Sequence, residues 1–406
     1  MKFTPLALAC AACFAGTAAW AQSSVTLYGT ADAGVLSLSH VSAGKAGYVP
    51  SPADAGRKTT YKDGGLGASN WGFKGQEDLG NGMSAVFQFQ GNLNTMDGSS
   101  GGANSSTTTS LFNQLAHVGL KGSFGEVKVG RQVSPMYYTM AATDARGARY
   151  FGSALTGLVA LNSASGAWIG NNSNVAFGTV YNDRAVVYTT PTWHDLTLNL
   201  EYAFGDGTTS AKAGSQQAVT ALYSANGLKL SALYYNGYGN NLGTATTLLT
   251  AAAGGNAAAG SAAAAARGFT ATANTNRLTS LGALYTWGPF TVSGQYYMAR
   301  NPAHAVLPNG SDKLDMWTVG GAWRAAPNIN VSAGYYAIDD KKNNGNKATQ
   351  FAIGVEYFLS KRTLAYVQAA SVTNKGANMN LSPVYSSPVA ASQGVQAYMV
   401  GLRHTF

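Results

Sequence analysis

The residues able to do covalent or acid–base chemistry are few in this 406-residue chain, and they lie far apart. The five histidines, His40, His117, His194, His304 and His404, fall in five different segments, and both cysteines, Cys10 and Cys13, lie within the first 21 residues. A nucleophile needs an oriented base within hydrogen-bond reach, and a metal needs three or four donors at recurring spacings. Neither pattern occurs, so the expectation is a protein that is not an enzyme and uses no metal or cofactor. What remains is fixed charge: 26 basic against 17 acidic residues, a net +9. These charges are scattered singly, which argues against a nucleic-acid partner, whose phosphates demand a clustered basic surface.

What such charges do depends on the elements that carry them. The opening "MKFTPLALACAACFAGTAAWAQSS" has one early lysine, an apolar run and small residues at Ala19 and Ala21. That pattern reads as a secretory signal peptide over residues 1–21, leaving 22–406 as one domain with no cysteine and a net +8. A lipoprotein reading of Cys10 or Cys13 has no convincing Leu-x-small triplet to support it. Beyond the signal no run of ~18 apolar residues encodes a transmembrane helix.

The dominant period is two. In "FTVSGQYYM", Phe290, Val292, Gly294, Tyr296 and Met298 share one face, opposite Thr291, Ser293, Gln295 and Tyr297. In "LTLNLEYAF", Leu196, Leu198, Leu200, Tyr202 and Phe204 oppose Thr197, Asn199, Glu201 and Ala203. About sixteen such segments are expected, joined alternately by short turns and long polar connections, the latter near 41–65, 96–109, 134–179, 240–273 and 375–393 among others. In lipid every backbone N–H and C=O must be paired, so strands can span only as a closed cylinder. A soluble sandwich also alternates, but its second face meets a dry aliphatic core. Here that face is Thr, Ser, Asn, Gln and Gly, with charges such as Lys74, Glu201, Lys229 and Glu356, which suits a wet lumen. The expected fold is an all-β transmembrane antiparallel barrel. The Ala-rich "TAAAGGNAAAGSAAAAARG" (250–268) reads as a mobile or partly helical external loop without chemistry.

Four stretches add specificity: "SVTLYGTADAGV" (24–35), "SNWGFKGQEDLGNGMSAVFQFQ" (69–90), "LFNQLAHVGLKGSFGEVKVGRQ" (111–132) and the closing "GLRHTF". In order and spacing they resemble the general bacterial porins, in particular their neisserial and β-proteobacterial branch. The resemblance implies a homotrimer of sixteen-stranded barrels in the Gram-negative outer membrane, set in lipid and lipopolysaccharide, through which small hydrophilic solutes and ions diffuse. It also implies that the third external loop, 134–179 here, folds into the lumen and narrows it. By the same resemblance Phe406, ending an alternating final strand, is the signal read by the outer-membrane assembly machinery.

In such channels acids on the loop usually face arginines on the wall and create a transverse field. This sequence departs from that pattern. The loop carries only Asp144 as an acid, with Arg146 and Arg149 close behind, and two wall positions that often hold arginine read Asn70 and Gln114. Parity sets Asn70 and Lys74 inward, with Trp71 and Phe73 toward lipid, and sets Lys128 inward between Val127 and Val129. These wall and loop cations against one acid predict a mild anion preference. Arg131 falls on the lipid-facing parity, where a bare arginine costs roughly 2–4 kcal/mol at mid-depth. Asp97, on the second external loop that latches neighbouring barrels in the family, is the expected intersubunit partner; the alternative is an Arg131 at headgroup level or capping the folded loop. The same parity sets His117 and His404 toward lipid and His194 in a periplasmic turn.

Two other readings stay open: a substrate-specific channel whose lumen binds a solute on aromatic side chains, and a surface adhesin-type barrel. The paired tyrosines at 137, 234, 296 and 335 favour neither, because in a strand one member of each pair must face outward, where aromatic girdles belong.

Overall fold

The computed structural model describes residues 24–100, 110–158, 180–205, 210–238, 253–300, 313–376 and 379–406, except 44, 47–48, 51–52, 267, 269, 271, 273 and 343, together with 246 and 249–250. The proposed signal peptide, His304 and residues 159–179 of the expected inserted loop lie outside the described residues.

From the N-terminal side the strands are β1 (Ser24–Leu38), the small hairpin β2 (Lys45–Ala46) and β3 (Val49–Pro50), β4 (Lys58–Asp63), β5 (Asn70–Gly80), β6 (Met83–Asn92), β7 (Leu115–Gly122) and β8 (Gly125–Val133). After helix α1 (Pro135–Ala142) come β9 (Tyr181–Thr189), β10 (Leu196–Ala203), β11 (Gln216–Ala225) and β12 (Leu228–Tyr238). Helix α2 (Ala257–Ala266) precedes β13 (Asn274–Trp287), β14 (Phe290–Arg300), β15 (Lys313–Ala326), β16 (Ile329–Asp340), β17 (Lys347–Phe358), β18 (Thr363–Lys375) and β19 (Gly394–Thr405). Each barrel strand pairs antiparallel with its sequence neighbours, and β1 pairs with β19 to close the sheet. Closure satisfies the edge that would otherwise present unpaired backbone to lipid. Phe406 completes it, exchanging backbone hydrogen bonds with Gly29 at 3.0 and 3.2 Å.

The sheet has seventeen labelled strands but sixteen staves, because β4 and β5 are two halves of one. The upper half of β1, Ala33–Leu38, pairs with β4, and its lower half, Ser24–Thr30, pairs with β5. The expected connection 41–65 therefore contains a strand, β4, at Lys58–Asp63. Residues 64–69 leave the ladder between the two halves and turn inward, with Gly64 at φ 76°. Within the stretch 111–132 the ladder of β7 begins only at Leu115.

Alternation holds along the staves. Leu198, Leu200, Val292, Val319, Phe351 and Val400 face outward and are exposed, whereas Thr220, Ser293, Gln295, Thr318 and Gln350 face inward and are buried. Three of the tyrosine pairs split as a strand requires: Tyr234, Tyr296 and Tyr335 outward, Tyr235, Tyr297 and Tyr336 inward. The pair Tyr137–Tyr138 lies instead in α1. At the short-turn end Tyr285, Trp287, Phe290 and Trp323 form an outward stack with centroids 5.8 to 6.3 Å apart, an interfacial girdle. The buried apolar residues, among them Phe151, Leu155, Met316, Ile338, Leu381 and Val384, fill the long-loop half of the interior rather than a separate core.

Candidate functional site

Residues 134–158 leave β8 and run inward along the wall. Ser134 caps α1, accepting from the Met136 N–H, and its hydroxyl donates to Glu201 on β10 at 2.6 Å, which Asn182 on β9 also contacts at 2.8 Å. Further along, Thr143 bonds Ser231 on β12, Gln295 on β14 donates to the Met140 carbonyl, and the Ala145 N–H donates to Ser293. The segment thus tracks ten of the sixteen staves, from β9 to β18, on inward-facing polar side chains. Glycine prepares its bed: a Cβ at Gly282 would collide with Thr143 and Ser231, and one at Gly354 would lie 3.3 Å from the Arg146 guanidinium.

Asp144 and Arg146 are both sealed. Asp144 accepts the N–H groups of Arg146, Ala148 and Ala154 at 3.0 to 3.1 Å and the Tyr336 hydroxyl at 3.3 Å, so this carboxylate folds the segment around itself. Arg146, 1% exposed, makes five hydrogen bonds: Nε to Gly152 O, Nη1 to Ser332 O and Oγ, and Nη2 to Phe151 O and Gln368 Oε1. It rivets the loop to β16 and β18 and presents no charge to the passage. Arg149 remains part-exposed and pairs with Glu356 on β17 at 2.6 Å. Of the loop charges expected at the constriction, Asp144 and Arg146 are therefore buried in the packing of the loop rather than open to the passage, while Arg149 keeps some exposure. A lone acid in a loop can cap several backbone N–H groups, a use that its sequence position does not reveal.

Among the described residues none of the inward-running segment lies over Lys74 and Lys128 on the opposite wall, β1 and β5 to β8. Lys74 is exposed, its ammonium 5.4 Å from the Tyr28 ring, and Lys128 lies 3.2 Å from Glu126. Together with Thr26, Gln76, Gln88 and His117 they line one hollow. His117 is thus inward, contrary to the parity reading, since Val118 and Leu120 take the lipid face of β7. Apolar residues occupy both faces of 115–120, so alternation alone misassigned it. Asn70 donates to the Ala68 carbonyl at 3.1 Å, and Gln114, fully buried just before β7, accepts from Gln90. Gln114 is therefore packing rather than open wall.

One group escaped the sequence reading. Asp32, on the inner face of β1, is fully buried and accepts the N–H groups of Gly65, Leu66 and Gly67 at 2.9 to 3.2 Å and the Tyr366 hydroxyl at 2.8 Å, with Arg403 at 3.7 Å. Three successive backbone donors around one carboxylate hold the inward turn 64–69 in place. A single acid on the polar parity of a strand was its only signal.

On the outer face Arg131 pairs with Asp183 of the same chain at 2.5 Å, donates to the Asn113 carbonyl at 2.8 Å and lies 5.7 Å from the Tyr181 ring. Its cost in lipid is thus offset within one barrel, which removes the reason for which a neighbour was invoked. Asp97 sits in an exposed turn, and hydrogen bonds from Ser99 hold its carboxyl below the usual range. His404 faces outward beside Thr363, His194 lies in an exposed turn, and His40 pairs with Asp54. Among the described residues no three His, Cys, Asp or Glu side chains converge as a metal site.

A sixteen-stave barrel, a polar inner face and a segment folded along it describe a channel. The family model of Gram-negative porins matches residues 7–377. The chain belongs to the Gram-negative porin family. As such it is a channel of the outer membrane, a place that the outward apolar band and its girdle also fit. The porin is 29% identical over 410 residues to outer membrane porin protein 32 of Delftia acidovorans, with the whole of both chains covered. Among solved structures, an anion-selective porin from Comamonas acidovorans aligns with a TM-score of 0.69 at 22% identity, covering 95% of this chain and 100% of that one. The trimer form of OmpT from Vibrio cholerae aligns at 0.59 and 14% identity, covering 95% and 99%.

Proposed function

We propose that this porin passes small hydrophilic solutes without transforming them, and that it prefers anions mildly. The observation that carries the reading is an asymmetry of exposure. Of the inward acids, Asp32, Asp144, Glu201 and Glu356 are each 5% exposed or less, while Glu126, 26% exposed, is paired with Lys128. The side chains of Lys128, Arg149 and Arg403 keep 24 to 30% of their surface, and Lys74 is exposed. Charge presented to water is thereby positive, although both signs line the wall. Only charge near the aqueous path acts on a passing ion at the effective dielectric of a wet pore. In this reading residues 134–179 are the constriction loop and 1–21 the removed signal. The reversal potential of single channels in a planar bilayer under a KCl gradient tests it: chloride carries the larger share, and a cation preference overturns the assignment.

The porin is proposed to assemble as a homotrimer. An outward aromatic cluster of Trp71, Phe73, Phe89 and Phe112, with centroids 5.3 to 6.4 Å apart, supplies an apolar surface next to the wall of Lys74 and Lys128. Asp97 enters in a reduced role: Arg131 already has Asp183, and Asp97 of a neighbouring subunit would reach it only by competing with that pair. The mass of the detergent-solubilised complex checks the assembly. A terminal role of Phe406 in barrel assembly is tested by its deletion, which should lower the yield of inserted channels more than their conductance.

A further inference from the structure

Four inward tyrosines of the barrel strands, Tyr181, Tyr235, Tyr297 and Tyr336, are sealed at 7% exposed or less. Tyr138 is not. It keeps 58% of its surface although α1 lies inside the barrel. Pro135, Met136, Thr139 and Met140 form the buried face of that helix, laid on β10 to β12, and Tyr138 projects from its free face. An aromatic ring left in contact with water forgoes the free energy of burial. Being inside the lumen, this one also serves no interfacial girdle.

The order of the staves decides what Tyr138 meets. With sixteen of them β12 stands halfway round the cylinder from β1, so a helix seated on β10 to β12 turns its free face across the lumen toward β1. There Tyr28 stands on the inner face. Its hydroxyl is fixed, donating to Gln90 at 2.9 Å and accepting from Gln88 at 2.6 Å, and the Lys74 ammonium on β5 lies 5.4 Å from the ring centroid. Enclosure raises the pKa of the Tyr138 phenol and Tyr28 adds to the rise, so the two rings lie within electrostatic reach of each other. Lys74 has no carboxylate partner among the described residues, whereas Lys128 is held by Glu126.

We infer that Tyr138 and Tyr28 form an aromatic pass that selects aromatic monocarboxylates, the solute ring running between the two phenols while its carboxylate turns to Lys74. Stacked rings gain more than their buried area alone, and a contact between ammonium and carboxylate is charge-assisted. One unopposed ammonium answers one negative charge, and a carboxylate attached to a flat ring can make both contacts at once. The inference rests on the reading of this lumen as an anion-preferring passage and names a solute class for it. It also gives a use to one member of the tyrosine pair that lies in a helix, where strand alternation explains nothing.

The test is block of the single-channel current of the full-length protein by benzoate, cyclohexanecarboxylate and benzyl alcohol, in a planar bilayer at ~0.1 M KCl, where screening still leaves Lys74 effective. Benzoate should half-block the current at a concentration about fivefold below that of cyclohexanecarboxylate, the gain of stacking, and at least about tenfold below that of benzyl alcohol, the gain of charge. Tyr138→Ala should abolish the first ratio and Tyr138→Phe should keep it, while Lys74→Gln should lower the second and leave the first. Equal block by benzoate and cyclohexanecarboxylate in the wild type overturns the inference, as does an unchanged first ratio in Tyr138→Ala. A wild type that prefers chloride under a KCl gradient yet shows equal block fails on this inference alone. A cation preference under that gradient overturns the anion reading and this inference with it.

Discussion

The two halves of the lumen differ in how they treat charge. Along β10 to β18, where residues 134–158 lie on the wall, ionised groups are buried and matched: Asp144 by three backbone N–H groups, Arg146 by five acceptors, Glu356 by Arg149. Along β1 and β5 to β8 Lys74 is exposed among the described residues, and Lys128 is only half-buried beside Glu126. The first arrangement spends charge on structure, since an ionised group with all its partners satisfied holds segments together and has little field left for solvent. The second leaves charge free to act on ions. Counting residues by sign along the lumen would merge two populations that do different things.

The comparison breaks most severely at Arg146. Arg146→Ala strands the carbonyls of Phe151, Gly152 and Ser332 in a buried site, and leaving even one such group unmet costs about 1–3 kcal/mol. A cost of about 3 kcal/mol or more, with a wider and noisier conductance as the loop leaves the wall, is expected from thermal unfolding and single-channel records. Alkaline pH should act on the same segment more gradually, through its helix α1. Burial pushes the Tyr137 phenol up to about 12, with Tyr138 adding to the rise. Because the folded state holds this proton more tightly than the unfolded chain, its contribution is complete below pH ~10 and is lost as pH rises toward ~12, a loss on the order of 2 to 3 kcal/mol at most. Conductance followed through pH 9 to 12 should show the loop loosening over that window, and Tyr137→Phe should remove the pH dependence of this step.

Gly354→Leu sharpens the same side of the comparison, since a side chain there must displace Arg146. Overpacking costs about 1–3 kcal/mol, and Gly354→Ala should cost less. The smallest effect on stability belongs to the wall of Lys74 and Lys128. Lys74→Glu/Lys128→Glu should alter thermal stability by less than about 0.5 kcal/mol, yet shift the reversal potential toward cations, whereas Asp144→Asn should disturb the loop with little direct change in charge presented to the pore. If the two variants changed ion preference equally, the division between structural and free charge would be wrong.

Much of the barrel was legible because lipid imposes a binary rule. Phe290 and Thr291, or Leu200 and Glu201, had to point to opposite sides, and they do. The reading failed where both faces of a strand carry apolar residues, which turned His117 the wrong way, and where one stave breaks in two, which hid Lys58–Asp63 in a presumed loop. Lys74 and Lys128 were legible as inward cations from parity alone. Asp32, Asp144 and Arg146 were legible only as charges, because their partners come from residues 33 to 334 positions away or from local turns whose geometry no periodicity encodes.

By itself, then, the sequence determined the barrel, its stave order and the side of the wall on which most residues lie, since these follow from a period of two and the demand that every backbone group in lipid be paired. Which charges remain open to water was decided only in three dimensions. A carboxylate that finds several N–H donors becomes part of the scaffold, and a lysine that finds none stays in solution. That outcome depends on where distant segments meet, above all on the path of residues 134–158 across the inner wall.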